Sequence, residues 1–263
     1  MNTIIIEGDS IKECSCKKNI KVDFSLKNED FTVNVLTIHI KEDTKLLINA
    51  KQEDCKLKIN YIIDPYIKAE ILDLRKINGL KMAEEIHLNE KSELKIIKFY
   101  EGKNVKKQDT IYMNGSESKL FYILKTIASE KQNYNVTVYH KNCDTICDIC
   151  HHGVTKENGS ISFDITNIIE KEMKNTVVNQ ENRIITNNSK MCKICPNLIV
   201  DEQDVVANHS AHLGDVNEDE LFYLESRGID VHDAKNLLIQ GFLLEKIEEY
   251  KEKIKDYITF EWR

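Results

Sequence analysis

A change of hydrophobic period near residue 215 limits the folds open to this chain more than any other feature. Upstream, apolar and polar residues alternate over short runs at 32–40, 56–63, 67–74 and 135–139, and again at 160–165, 184–185, 198–200 and 205–207. That is the period of a half-buried strand. Downstream, Asn217 is placed to cap a helix with Glu220 three residues on; Leu221, Phe222 and Leu224 supply an apolar stripe, and Gly228 a left-handed stop. A second helix starts at Asp230 and carries Ala234, Leu237 and Leu238. Residues 243–262 place Leu243, Leu244, Ile247, Tyr250, Ile254, Tyr257 and Ile258 at three- and four-residue steps, which predicts one more amphipathic helix, docked on its own domain. The chain therefore divides into a strand region, 1–214, and a helical region, 215–263. No long helical pattern recurs between the strands, which disfavours a doubly wound α/β fold. A sandwich, a barrel and a stacked solenoid stay open, because no fixed-period repeat is visible to choose among them.

Composition narrows the functional classes. The 263 residues suffice for one elongated domain or two compact ones, and 41% hydrophobic with 31% charged residues suits a folded protein. A net charge of −7 leaves no basic footprint for nucleic acid. The N-terminal apolar run, Ile4 to Ile6, is too short for a signal segment or a membrane span. A cytoplasmic, reducing location is expected, so the eight cysteines are thiols or metal ligands rather than disulfides. Neither a phosphate-binding loop nor a dinucleotide fingerprint is present.

Two cysteine groups carry potential chemistry. Cys143, Cys147 and Cys150 fall within eight residues and adjoin His151 and His152. Soft thiolates with imidazoles suit zinc or an iron–sulfur cluster. The Cys-x3-Cys-x2-Cys spacing equals that of radical S-adenosylmethionine enzymes, although here it lies mid-chain among strands. The alternative is a packed or merely exposed group of thiols. Cys192 and Cys195 form a lone Cys-x2-Cys before Pro196, which needs further ligands from the first group or from His209. Residues three apart on a strand face opposite ways, so the pair serves one metal only if a turn intervenes. Cys14, Cys16 and Cys55 read as structural.

The C-terminal region carries a resemblance. Ala-Asn-His-Ser-Ala-His-Leu-Gly from Ala207, Glu-Leu-Phe-Tyr-Leu-Glu-Ser-Arg-Gly-Ile from Glu220, and Ala-Lys-Asn-Leu-Leu-Ile-Gln-Gly-Phe from Ala234 resemble, in order and spacing, the signature of the SufB/SufD family. These are scaffold proteins of iron–sulfur cluster assembly. Pro196 before a strand and the stretch 159–165 resemble the family more faintly. The resemblance implies a right-handed parallel β-helix followed by a small helical region, in a short member lacking the N-terminal helical extension. It implies no catalytic residues, a transient iron–sulfur cluster, a SufC-like ABC ATPase as partner, and pairing with itself or a SufB-like homologue. His209 falls on the family's histidine at the subunit interface where clusters assemble. Ser210 follows it where SufB-like members carry Glu and SufD-like members Gly, which favours the SufD-like side. The cluster cysteine of SufB-like members belongs in the strand around Glu181, where this chain has none. The ATPase-docking surface falls on the helices, with Phe222, Tyr223, Arg227, Gly228, Leu237, Leu238 and Phe242. Two other readings remain: a radical S-adenosylmethionine-type enzyme using Cys143, Cys147 and Cys150, and a metal-free β-solenoid interaction protein.

Overall fold

A computed structural model describes residues 2–7, 10–15, 20–27, 33–186 and 191–258. Its strands are β1 (Asn2–Glu7), β2 (Ser10–Ser15), β3 (Ile20–Lys27), β4 (Val33–Ile40), β5 (Thr44–Ile63), β6 (Lys68–Leu88), β7 (Glu93–Met113), β8 (Lys119–Ala128), β9 (Lys131–His140), β10 (Ile146–Thr155), β11 (Ser160–Ile169), β12 (Thr176–Ile185), β13 (Lys193–Val200) and β14 (Val205–Gly214). They wind into a parallel β-solenoid of about seven turns, which decides among the three architectures left open by the pattern. One face stacks β1, the first halves of β5, β6 and β7, then β8, β10, β12 and β14 in parallel register. The other stacks β4, the second halves of β5, β6 and β7, then β9, β11 and β13. β2 and β3 pair antiparallel with β1 and β4 at the N-terminal end.

The register explains why no fixed repeat is legible. One coil takes 25 residues from Leu46 to Ile71 but 31 from Ile149 to Gln180. Corners absorb the difference. Tyr66, Lys91, Asp144 and Asn175 hold left-handed backbone there, although none is glycine. Coil-to-coil bonds offset that strain: Tyr66 N donates to Glu90 O (2.8 Å), Lys91 N to Ser116 O (2.9 Å) and Asn175 N to Asp204 O (2.7 Å). Glycine is required where coils nearly touch. A Cβ on Gly102, at φ +145°, would stand 1.9 Å from the Ile77 carbonyl oxygen.

Inward positions of each coil stack into columns. Leu46, Ile71, Ile96, Tyr122, Ile149, Gln180 and His209 form one; Ile48, Asp73, Lys98, Leu124, His151, Asn182 and Ala211 form its neighbour. The interior is apolar at the N-terminal coils and charged in the middle. Arg75 bonds Asp73 and Gln52, while Lys98 and Lys107 share Glu84 and Lys107 also holds Asp109. The three cations and three carboxylates balance, as buried charges must.

The outer surface of the first face is also apolar, with Leu72, Leu74, Ile97, Phe99, Ile123, Ile127, Cys150 and Val154 buried against the C-terminal segment. That segment holds α1 (Glu218–Ser226), α2 (Val231–Leu244), a 3-10 turn at Glu248–Tyr250, α3 (Lys251–Ile254) and a 3-10 turn at Lys255–Tyr257. Asn217 caps α1 by accepting from Asp219 N and Glu220 N, Gly228 follows it at φ +85°, and Asp230 caps α2, all at the expected positions. The single helix expected over 243–262 is instead broken. Glu245 is extended and Lys246 left-handed at φ 66°. On both sides of the break the apolar side chains stay on the sheet: Leu243, Ile247, Tyr250, Ile254 and Tyr257 are all buried in the outer cluster. Residues 259–262 of that expected helix, and Cys16, lie outside the described residues.

Candidate functional site

β10 reads Ile-Cys-Asp-Ile-Cys-His-His-Gly-Val-Thr, and strand alternation sorts its chemistry onto two faces. Cys147 joins the interior cluster and Cys150 the outer one, so the two thiols point apart. Cys143 lies half-exposed in the corner before the strand. The three cysteines therefore do not converge, and the three-thiol arrangement that a radical enzyme requires is not formed. Burial pushes the Cys147 thiol well up, which keeps it protonated.

His151 and His152 divide likewise. His151 points inward between Tyr122 and Phe163, with ring centroids 5.4 and 5.2 Å away and, among the described residues, no hydrogen-bond partner on either nitrogen. Burial pulls its pKa down to about 3. His152 points outward, two residues from Cys150, and its ring stacks on Phe242 at 4.4 Å. Glu181, beside Cys150 on β12, completes a cluster. Cys150 Sγ lies 3.5 Å from His152 Nε2, and Glu181 Oε1 lies 3.0 Å from the same nitrogen. On the far side of the ring, Nδ1 stands 2.7 Å from Lys125 Nζ and 3.1 Å from the Phe242 carbonyl oxygen. The Lys246 ammonium holds Glu181 Oε2 at 2.7 Å.

Electrostatics in the cluster are set by burial and pairing. Burial raises the Cys150 thiol against the pull of Lys125, and draws Lys125 down to about 8. The His152 hydrogen bond, with Lys246, keeps the Glu181 carboxyl well below the usual range. A cleft of about 300 Å³, lined by Phe121, Ile123, Asp148, Cys150 and Lys246, opens onto the thiol. Among the described residues this is the place where three or more potential metal-ligating side chains converge.

Cys192 and Cys195 do not join it. Cys192 packs on the interior cluster and accepts from Ile161 N at 3.4 Å, while Cys195 pairs with Asp164 at the strand position after inward-packed Ile194. Pro196 sits within β13, which pairs only with β11 among the described strands, the edge position where proline is tolerated in a sheet.

His209 lies exposed on β14 at the open end of the solenoid, in register with Gln180. β14 bonds β12 alone among the described strands, and Val206 and Leu213 are exposed along it. His212, in register with Arg183, faces a cleft of about 680 Å³ that Asp215, Glu218 and Phe242 also line. The α1–α2 hairpin projects from this end. Phe222 is 72% exposed, Tyr223 57% and Leu237 51%, and Arg227 stacks its guanidinium 5.3 Å from the Tyr223 ring centroid. Leu238 is half-buried against the outer cluster, and Gly228 ends α1. Phe242, expected on the partner surface, is instead buried on the sheet-facing side of α2, where its ring covers His152.

Sequence reasoning set His152 beside Cys150 but missed Lys125, and missed Glu181 as their neighbour. The i, i+2 spacing of Cys150 and His152 put them on one strand face, but only the coil register brings Glu181 and Lys125 alongside. No helix among the described residues is long and apolar enough to cross a membrane.

The family model for the SUF system FeS cluster assembly SufBD core domain matches residues 73–242, well over half of the chain. The iron–sulfur cluster assembly protein SufD of Bacillus subtilis is 30% identical over 140 residues, 53% of this chain and 32% of that protein. SufD of Escherichia coli is 27% identical over 109 residues, 39% of this chain and 25% of its own length. The chloroplastic protein ABCI7 of Arabidopsis thaliana is 44% identical over 57 residues, 22% of this chain and 12% of that protein. The matched segment thus spans about a third or less of each of these relatives.

Proposed function

Because the chain belongs to the SufBD family of the SUF iron–sulfur cluster assembly system, we propose that it is a SufD-like scaffold component of such an assembly complex, without catalysis of its own, working in the cytoplasm. The observation that carries this reading is the continuous match over residues 73–242, which runs through the coils, the open end and both helices of the hairpin. Two of the relatives named above are SufD proteins, and Glu181 stands where a SufB-like cysteine is expected, which supports the SufD-like side.

The cluster is cargo in this proposal. His209 meets it at the open end, where β14 pairs with the same edge of a second copy or of a SufB-like homologue. An uncovered ten-residue edge strand with exposed Val206 and Leu213 supports an interface there, since such edges invite pairing. Energy comes from a SufC-like ABC ATPase docked on the hairpin. The support is Phe222, Tyr223 and Leu237, large apolar side chains left in solvent beside Arg227, the composition of a binding hot spot.

Co-expression with a SufC-like ATPase tests the reading. The native chain copurifies with the ATPase, and Tyr223→Ala with Arg227→Ala weakens that association by about 2 kcal/mol or more, roughly thirtyfold. Both side chains are surface groups, so the fold survives. Full copurification of the folded double variant would show that the hairpin is not the docking surface.

A further inference from the structure

We propose that Cys150, His152 and Glu181 bind a single divalent transition-metal ion of the zinc or iron(II) class, on the outer face of the solenoid, one strand in from β14 at the open end. This inference does not rest on the cluster-assembly reading.

The geometry comes first. Cys150 and His152 are two apart on β10 and share a face, and Glu181 is the direct lateral neighbour of Cys150 on β12. Their donor atoms Sγ, Nε2 and Oε1 all lie within 4.8 Å of one another, with 3.5 Å from sulfur to nitrogen and 3.0 Å from nitrogen to oxygen. Around a tetrahedral ion with bonds of about 2.3 Å to sulfur and about 2.0–2.1 Å to nitrogen and oxygen, adjacent donors stand about 3.3–3.6 Å apart. The three atoms are therefore within a few tenths of an ångström of coordinated spacing on both measured edges. They sit on paired strands, so holding them together costs little further entropy.

The surroundings are those of a ligand set. A metal-bound imidazole usually donates its other N–H to a fixed acceptor. Here the Phe242 carbonyl oxygen lies 3.1 Å from His152 Nδ1, and the Phe242 ring, stacked at 4.4 Å, locks the imidazole plane. Lys246 occupies Glu181 Oε2 and leaves Oε1 for the ion. Three protein ligands leave a fourth position for water or a passing ligand, and the cleft beside Cys150 provides the entry path.

Lys125 is the group that must be reconciled with a bound cation, since its Nζ is 2.7 Å from His152 Nδ1. The contact provides its own answer. In the empty cluster the ring carries its proton on Nε2, donating to Glu181, and Nδ1 accepts from the Lys125 ammonium. On metal entry the Nε2 proton and the Cys150 thiol proton leave to solvent. The Lys125 proton passes to Nδ1, which then donates to Phe242. Two protons depart for one divalent ion, and the charge of the cluster is unchanged. The donor set, one thiolate with one imidazole and one carboxylate, suits zinc and iron(II) and is a poor match for calcium or magnesium.

Anaerobic titration of the full chain with Co²⁺ tests the site. One Co²⁺ per chain should bind, with a sulfur-to-cobalt charge-transfer band and d–d absorption of tetrahedral intensity. Cys150→Ser should abolish the charge-transfer band. Glu181→Gln, at a partly exposed position that does not threaten the fold, should weaken binding by roughly tenfold or more. Cys195→Ser and His209→Ala should leave both unchanged. Stoichiometric displacement of the cobalt by Zn²⁺, with loss of the charge-transfer band, is expected of this donor set and supports the proposal. Absence of stoichiometric binding would overturn it. So would a charge-transfer band that persists in Cys150→Ser, or unaltered affinity in Glu181→Gln.

Discussion

Replacing Glu84 by Gln should remove the keystone of the solenoid's charged interior. Glu84 is buried between two lysines: its carboxylate accepts from Lys107 Nζ at 2.8 Å and pairs with Lys98. Burial works against the charged carboxyl, yet Lys107 and Lys98 hold its pKa down to about 2, from 4.5. That difference corresponds to about 3 kcal/mol, and breaking a buried pair from one side costs about 3–5 kcal/mol. The sign follows from the lowered pKa. The stabilisation is complete above pH 4.5 and is lost as pH falls through about 2. At neutral pH, Glu84→Gln leaves three interior cations against two carboxylates. Lys107 is the one to give up its proton, because burial already pulls its pKa down despite Asp109 and Glu84, whereas the carboxylates of Asp109 and Glu84 keep Lys98 raised against burial. We expect a loss of about 3 kcal/mol at pH 7 in urea denaturation followed by far-ultraviolet circular dichroism, with a melting temperature lower by roughly 5–10 °C. The double variant Glu84→Gln, Lys107→Met restores neutrality and should recover at least about 1 kcal/mol of it. The reasoning fails if Glu84→Gln lies within about 1 kcal/mol of the native protein, or if the double variant is no more stable than the single one.

Two further outcomes follow from named positions. His151 is neutral in the fold, since burial pulls its pKa from 6.5 to about 3, so its contribution is complete above pH 6.5 and is lost progressively as pH falls towards 3. His151→Leu should therefore flatten the acid side of the stability profile, and an unchanged profile would show that this ring is not protonated on unfolding in that range. Lysines at Val206 and Leu213 on the β14 edge should convert an associated species to a monomer by light scattering, whereas a native chain that is strictly monomeric, alone and mixed with a SufB-like homologue, would remove the edge-pairing proposal.

The legible part of the fold was its local part. Alternation located segments of β4, β5, β6, β9, β11, β12, β13 and β14, and helix capping placed Asn217, Gly228 and Asp230 correctly. β7, β8 and β10 escaped because charged and polar residues occupy buried positions in them. Lys98 and Lys107 in β7, Lys125 and Thr126 in β8, and His151 in β10 all break the apolar alternation, and all are buried. Each is tolerated by a partner from another coil, or by aromatic packing in the case of His151, and that information sits about one coil away in sequence. The winding itself was invisible to pattern for the same reason. Coils of 25 and of 31 residues present no common period, and the corners use Tyr66, Lys91 and Asn175 rather than glycine.

The cluster on the outer face shows how a solenoid turns lateral register into chemistry. Its outward columns run Leu47, Leu72, Ile97, Ile123, Cys150, Glu181, Ser210 and Asn49, Leu74, Phe99, Lys125, His152, Arg183, His212. Under the tail from Ile247 to Tyr257 both are apolar apart from Asn49, which accepts from the Tyr257 hydroxyl at 2.9 Å, and both turn polar where α2 meets the sheet. The change from Ile123 to Cys150, and from Phe99 to Lys125, occurs at the edge of that cover. Donors beyond the edge are dry on the side of Phe242 and open on the side of the cleft. A cysteine motif read along the chain joins Cys143, Cys147 and Cys150, which the strand sends to different places. The grouping the fold makes runs across the chain, from Lys125 through Cys150 and His152 to Glu181. In a parallel solenoid, spacing along one strand fixes only which face a side chain takes, and the register between coils decides what it meets there.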